Sequence, residues 1–422
     1  MIITTTPNDL NTAFKTISGT IASIDETTQN ILFKKEGSSV VLTTTNYTSF
    51  SKTTLKCSCE GDGDFAIEYK RLSMWLKAIG KTTEVTLTYK DGSVVAKSKG
   101  SKSKLMFPSL DTEKLPETPK SLDDESETAK CSADRLYNAL KYLKSSVYKD
   151  DTRPNLSLVE CRNGSLLASD SISMSTLFLD GFENCTLKVQ AQEIGNLISF
   201  LGSQGDEELS IREGDSAIHF VTKGAEFGLN RYNFAFPDFN PENTEASWET
   251  WSVNVDEAKT ALAMLSATSD FDIGADKLVV DLKKHNGLVR IETLGMSGEK
   301  DYVDITLYSN DEDSNDEDSE VEEAPVDEDS EVEDSNDEDS DDEDSEVEVS
   351  EVEDSEVEGS DDEGAIEVFS VSHKRFLDIL NRHLSDHIEL DLARKGRGGM
   401  LRVQTSSGKD LYSTYLAWVF RG

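Results

Sequence analysis

The stretch Leu136-Tyr137-Asn138-Ala139-Leu140-Lys141-Tyr142-Leu143 decides the fold. Its apolar residues at 136, 139, 140 and 143 have the spacing that lays one apolar stripe along a helix of about three turns. The spacing recurs at Leu10/Phe14/Ile17, Leu72/Leu76/Ile79, Ile194/Ile198/Leu201, Ala258/Leu262/Leu265 and Phe376/Leu380/His383. Ala13, Trp75, Leu197, Ala261 and Ile379 reinforce it from the +3 position. Six amphipathic helices are predicted.

Short alternating runs follow the helices and predict strands: Val40-Val41-Leu42-Thr43, Glu84-Val85-Thr86-Leu87, Leu156-Ser157-Leu158-Val159 and Lys277-Leu278-Val279-Val280. Each unit then reaches a turn, at Glu36-Gly37, Asp91-Gly92, Asn163-Gly164, Glu213-Gly214, Asn286-Gly287 or Lys395-Gly396. Glycine there is expected to supply the positive φ of a tight hairpin. Counted from the first apolar position of its helix, that Gly lies at +27, +20, +28, +20, +29 and +20, so long and short units alternate. One long and one short unit make a domain, and the domain occurs three times. The predicted class is α+β: three tandem domains, each with two helices packed on β-sheets. The expected boundaries are 1–120, 128–245 and 249–422, with turn-rich and charged linkers at Glu117–Glu125 and Pro241–Glu245.

The third repeat is longer than the others because an acidic block interrupts it. Residues 311–363 hold 32 acidic side chains and no Lys or Arg. They account for most of the excess of 83 acidic over 42 basic residues in the 422-residue chain, leaving 51 acids against 42 bases elsewhere. Self-repulsion and the lack of apolar area predict disorder for an insertion spanning 309–364. Asp311-Glu312-Asp313 opens like a calcium loop, but no Gly stands at the sixth position.

Composition excludes several classes. No run of 18 apolar residues is present, and the N-terminus lacks a basic segment leading into an apolar one, so neither a membrane span nor a secretory signal is expected. Five cysteines, an odd number without zinc-like spacing, read as reduced thiols in a cytoplasmic protein. The net-acidic body argues against wrapping nucleic acid through overall charge but leaves room for a local basic surface.

Catalytic patterns fail on inspection. His383 and His387 have the spacing of a zinc helix without the adjoining Glu, and His383 falls on the apolar stripe, which predicts a packed histidine. His219, His285 and His373 lie in different units. Neither a phosphate-binding G-x-x-x-x-G-K-[ST] loop nor a G-x-S-x-G elbow occurs, and Lys395–Gly399 reads as a hairpin tip. No enzyme activity, metal or cofactor is expected.

Four segments, in register with the threefold repeat, carry a family resemblance. Asp151-Thr152-Arg153-Pro154-Asn155-Leu156 follows the first helix of the second domain, and Leu167–Met174 resembles an A-T-D-G-H-R-L segment. Phe236-Pro237-Asp238-Phe239 resembles F-P-D-Y, and Leu416–Gly422 stands in place of a V-x-M-P-M-R-L ending. Together with the repeat they resemble the bacterial-type DNA polymerase sliding clamp, the β-clamp family that also occurs in phages. The resemblance covers the chain outside the acidic block.

That family closes two copies of three domains into a homodimeric ring, with helices lining a central hole. Duplex DNA, the DNA polymerase and the clamp loader are the implied partners, in the cytoplasm of a bacterium or of a phage-infected host. On the helix faces opposite the stripes stand Lys15, Lys70, Arg71, Lys77, Lys141, Lys374, Arg375 and Arg382, which would face DNA and contact phosphates without reading bases. The bland alternative is a solvated helix face. Gln192/Glu193/Asn196 and Glu257/Thr260/Met264 place no positive charge outward on their two helices.

The family also captures short linear motifs in an apolar groove between domains two and three. By position that groove would use Leu156, Ser169, Ile172, Met174, Pro237, Pro241, Leu416, Trp418, Val419 and Phe420; the alternative is that these are core residues of a terminal strand. Ser171-Ile172-Ser173 in place of G-H-R, and Trp418-Val419-Phe420 in place of M-P-M, would alter the preferred peptide. The competing reading of the whole chain is an acidic scaffold that binds basic partners through 311–363.

Overall fold

All six apolar stripes are helices, and in each the stripe is the buried face. A computed structural model of the chain describes residues 1–79, 83–102, 104–150, 152–238, 248–268, 283–285, 288–294, 300–308, 372–383, 385–395 and 398–419. Leu10, Phe14, Leu72, Leu136, Leu140, Ile194, Leu201, Leu262, Phe376 and Leu380 are all buried, while Ile79 and Ile198 are half-buried. Burying a side chain of this size is worth about 1.5–3 kcal/mol, so the stripes fix which way each helix faces.

The first repeat runs β1 (Ile2–Thr5), α1 (Pro7–Ile17), β2 (Asn30–Glu36), β3 (Ser39–Thr45), β4 (Ser49–Leu55), β5 (Ser58–Glu60), β6 (Phe65–Glu68), α2 (Tyr69–Ala78), β7 (Val85–Lys90), β8 (Ser93–Ser98) and β9 (Lys104–Pro108). The second runs β10 (Glu127–Ser132), α3 (Ala133–Lys144), β11 (Leu158–Arg162), β12 (Ser165–Ser169), β13 (Ser173–Phe178), β14 (Lys188–Gln190), α4 (Ala191–Gln204), β15 (Glu208–Glu213), β16 (Ala217–Val221) and β17 (Ala225–Asn230). The third has β18 (Trp248–Asn254), α5 (Val255–Thr268), β19 (Lys283–His285), β20 (Leu288–Leu294), β21 (Lys300–Tyr308), α6 (His373–Arg382), β22 (His387–Lys395), β23 (Gly398–Ser407) and β24 (Asp410–Val419).

The helices start where side chains can satisfy the first free N–H groups. Thr6 caps α1 by accepting from the Asp9 N–H at 3.0 Å, with Pro7 in the first turn. Ser132 caps α3 through the Arg135 N–H, and Asn254 accepts from the Asp256 and Glu257 N–H groups at the start of α5. Ser372 does the same for α6.

Sheets cross the repeat boundaries. A five-stranded sheet has the order β5-β1-β7-β8-β9, an eight-stranded sheet β10-β15-β16-β17-β4-β3-β2-β6, and an eleven-stranded sheet β14-β11-β12-β13-β24-β23-β22-β18-β21-β20-β19. The first repeat therefore joins the second by antiparallel pairing of β4 with β17, and the second joins the third by pairing of β13 with β24. At the first join Gly228 lies opposite Phe50, whose ring covers it so closely that a Cβ on Gly228 would sit 2.2 Å from the ring.

The expected hairpins form at Asp91-Gly92 and Asn163-Gly164, where both central residues have positive φ (50° and 74°, 51° and 82°). This is the tight turn whose twist matches the strands it joins. Gly214 departs from the expectation: its φ is not positive, and a Cβ there would meet the Leu122 side chain at 3.1 Å. Close packing of the linker is the reason for glycine at that turn. The strand expected from Leu156 begins instead at Leu158, because the Arg153 carbonyl accepts from the N–H groups of Leu156 and Ser157 and prolongs the turn. The run 277–280, Gly287, Gly396, the linker 241–245 and the acidic insertion lie outside the described residues.

Candidate nucleic-acid face and partner groove

The helices form a row. Helix α2 touches α1, α1 touches α4 across the first join, α4 touches α3, and α5 touches α6. Helices α3 and α6 meet across the second join, where the Arg382 guanidinium donates to the Tyr142 carbonyl at 3.3 Å and to Ser146 Oγ at 2.9 Å. His383, the last residue of its stripe, packs edge-on against the Tyr142 ring at 5.4 Å.

Lys15, Lys70, Arg71, Lys77, Lys141 and Lys374 are exposed on these helices. Arg71 pairs with Glu68 at 2.5 Å, and Lys141 lies over the Tyr137 ring at 5.1 Å. The other two cations are spent inside the chain. The Arg382 side chain is 10% exposed and also pairs with Asp378, while Arg375 reaches Asp170 of the second repeat. Glu193, read as facing outward, is buried; it accepts from Asn46 Nδ2 at 3.0 Å and from the Thr48 hydroxyl, tying α4 to the first repeat. Glu257 likewise accepts from the Thr306 N–H and hydroxyl.

Strand parity sorts the residues expected at the groove. Met174 on β13 lies opposite Tyr415 on β24. These two side chains form one buried apolar cluster with Phe236, against which the partly buried Leu156, Leu167 and Met400 pack. Successive strand residues point to opposite faces, so Leu416, opposite Ser173, belongs to the other face and is buried there. The same parity places Tyr412 in the second repeat's core and Thr414 against the Tyr142 hydroxyl at 2.7 Å. Tyr415, Phe236, Leu167 and Met400 belong to this cluster and were not among the residues expected there. Alternation along Leu411–Val419 carried the signal for Tyr415, but it needed the register with β13 to say which face is which.

Of the remaining expected groove residues, Ser169 and Pro237 are half-buried beside this cluster's strands and Ile172 is 53% exposed. Trp418 and Val419 lie in β24 opposite Gly399 and Gly398. Pro241 and Phe420 lie outside the described residues. Phe236 is held by β11: its N–H donates to the buried Glu160 carboxylate at 2.6 Å, and Arg162 donates to its carbonyl at 3.0 Å.

The loop between β12 and β13 is knotted around Asp170. Its Oδ1 accepts from the N–H groups of Ile172 (3.0 Å) and Ser173 (2.7 Å), and Ser171 adopts φ 75°. Its Oδ2 accepts from Arg375 Nη1 at 2.5 Å. Burial works to raise the Asp170 pKa, but the Ser173 N–H and the Arg375 guanidinium outweigh it and hold the carboxyl below the usual range. Among the described residues no group of three or more His, Cys, Asp or Glu could hold a metal ion, and no helix is long and apolar enough to cross a membrane.

No protein-family model matches the sequence, and no curated protein matches it. Solved structures do, over 100% of this chain and 100% of theirs. The DNA polymerase III subunit beta of Pseudomonas aeruginosa aligns with a TM-score of 0.73 at 14% identity, and that of Thermotoga maritima with 0.73 at 12%. The DNA polymerase sliding clamp of Bacillus subtilis aligns with 0.72 at 16% identity and the same full coverage. The chain has the sliding-clamp fold. In this chain the helices contact one another in turn and the sheets run across the joins, and the Met174–Tyr415 cluster falls at the seam between the second and third repeats.

Proposed function

We propose that the chain is a DNA sliding clamp, a non-catalytic processivity factor that encircles duplex DNA and tethers a DNA polymerase. The observation that carries this reading is the full-length likeness to clamp structures combined with a row of helices whose exposed side chains include Lys15, Lys70, Lys77, Lys141 and Lys374. Cations that touch phosphates and leave bases unread bind without sequence preference, and loose contacts keep the barrier to sliding low. The three repeats would act as domains near 1–120, 128–245 and 249–422, and the work would take place in the cytoplasm of a bacterium or of a phage-infected host.

Two copies would supply the ring. Strand β9 is the edge of its sheet, and it exposes Leu105 (47%) and Met106 (66%), apolar side chains that a monomer leaves wet. A second copy pairing along such an edge would bury both. The cluster around Met174 and Tyr415 would receive apolar anchors of a short motif from the polymerase and from the clamp loader.

The test is topological. Scattering mass in solution is expected near twice the 46.6 kDa chain. Protein assembled on a nicked circle by its loader should survive high salt and leave when the circle is cut. Loss at high salt from the intact circle, or a mass of one chain at every concentration with no ring on DNA, would remove the clamp reading and favour an acidic scaffold.

A further inference from the structure

Arg375 sits in the first turn of α6, yet its guanidinium reaches a loop of the second repeat. Nη1 lies 2.5 Å from Asp170 Oδ2 and 3.4 Å from Ser173 Oγ, on a loop contributed by a different repeat. The rest of that loop is closed on itself: Ser169 Oγ accepts from the Ser171 N–H at 3.1 Å and donates to the Ser173 carbonyl at 2.8 Å. The product is a fixed turn that holds Ile172 out at 53% exposure, one residue from Ser173, where β13 begins to pair with β24 and carries Met174 into the buried cluster with Tyr415 and Phe236.

We propose that Arg375 is a positioning residue of the partner groove: through Asp170 it locks the 169–173 loop and so sets where Ile172 stands for an incoming peptide. The inference rests on the groove reading above. Its physical basis is charge. Asp170 keeps both oxygens engaged, with the backbone of its own loop on one and the third repeat on the other. Removing the guanidinium leaves a half-buried carboxylate that must recruit solvent, and the turn that orients Ile172 loses its anchor to α6. A groove whose rim is fixed before binding loses less freedom when a peptide arrives. Arg375 is thereby separated in role from its neighbour Lys374, which is exposed.

The probe is a fluorescein-labelled peptide selected from a random displayed library against the full chain and shown to lose affinity on Met174→Ala. Arg375→Met should weaken it about tenfold, mainly through faster dissociation, and Arg375→Lys should restore part of the loss. In an Ile172→Ala background Arg375→Met should cost little more, because both changes act through the same rim. Amide exchange of Ile172 and Ser173 should quicken in Arg375→Met by more than the small loss of global stability from the broken ion pair accounts for, while amides of β16 and β17 quicken only in step with that loss. The salt dependence of duplex DNA binding should be unchanged by Arg375→Met and reduced by Lys374→Ala. Equal peptide affinity for Arg375→Met and the parent, or full additivity with Ile172→Ala, overturns the proposal while leaving the groove intact. Failure to find any peptide sensitive to Met174→Ala overturns the groove reading and the proposal with it.

Discussion

Arg375 of the third repeat and Asp170 of the second form an ion pair, Nη1 to Oδ2 at 2.5 Å, that fastens a helix of one repeat to a loop of the next. A second pair does the same at the far end of the β13–β24 seam, where Arg135 Nε donates to Asp410 Oδ2 at 2.8 Å and its Nη1 to the Asp180 carbonyl at 3.0 Å. The join is thus held by strand pairing along its length and by charge at each end.

The Asp170 pair predicts an acid sensitivity. Asp170 is held below its ordinary pKa in the folded chain, so its contribution is full above the unfolded value, near 3.9, and is lost as pH falls through the folded one. Asp170→Asn should cost about 1 kcal/mol at pH 7, and the gap to the parent should close as pH drops below about 4. Thermal unfolding across pH 3–7.5 measures it. A gap that stays constant with pH would mean that the charge on Asp170 contributes nothing.

The exposed lysines and the buried arginine should part company. Each of Lys15, Lys70, Lys77 and Lys141 changed to Ala should lower the slope of log affinity against log salt by up to about 0.9 and leave stability within about 0.5 kcal/mol. Arg382→Ala should instead destabilise by about 3 kcal/mol, because the Tyr142 carbonyl and Ser146 Oγ lose a buried donor. Salt titrations of duplex binding, paired with calorimetry, separate the two.

Strand parity predicts a contrast between neighbours. Tyr415 is itself 4% exposed, so Tyr415→Ala should cost stability and in addition weaken a groove-binding peptide by about 2 kcal/mol in the still-folded chain. Leu416→Ala, on the opposite face and buried as well, should cost about 3 kcal/mol of stability and act on peptide affinity only through unfolding. Titrations well below the melting temperature of each variant tell these apart.

Gly228→Ala should damage the first join. The new methyl would lie 2.2 Å from the ring of Phe50, itself 2% exposed and packed edge-on against His219 at 5.5 Å, so the ring has nowhere to swing. The expected loss is about 2–3 kcal/mol. Pairing Gly228→Ala with Phe50→Leu, which removes the obstructing ring, should recover part of it.

His383 answers to pH in a different window. Burial first, then the charges of Arg382 and Lys259, push its pKa down to about 4, and neither ring nitrogen has a hydrogen-bond partner among the described residues. A histidine whose folded pKa is depressed is stable neutral, so the chain should lose stability as pH falls from about 6.5 toward about 4. His383→Leu should be neutral or stabilising at pH 7.5 and relatively more stable at pH 5. Equal pH profiles for the variant and its parent would refute this.

The helices, their buried faces and the threefold repeat were legible in the residues, because apolar spacing is a local property that the chain writes directly into its order. The hairpins at Asp91-Gly92 and Asn163-Gly164 were legible for the same reason. The fates of Arg375 and Arg382 were not. Both stand at polar helix positions identical in kind to Lys374, and only the approach of another repeat turns one into a loop anchor and the other into a buried donor.

Register decided the Met174 cluster in the same way. The order of residues along β24 fixes that Tyr415 and Leu416 face opposite sides, but pairing with β13 fixes that Tyr415 meets Met174. The sequence by itself determined where the helices fall and which apolar stripe of each avoids water. The tertiary structure alone decided which charged and aromatic side chains meet across the joins, since those contacts depend on residues some 200 or more positions apart, such as Asp170 and Arg375, that no local pattern couples.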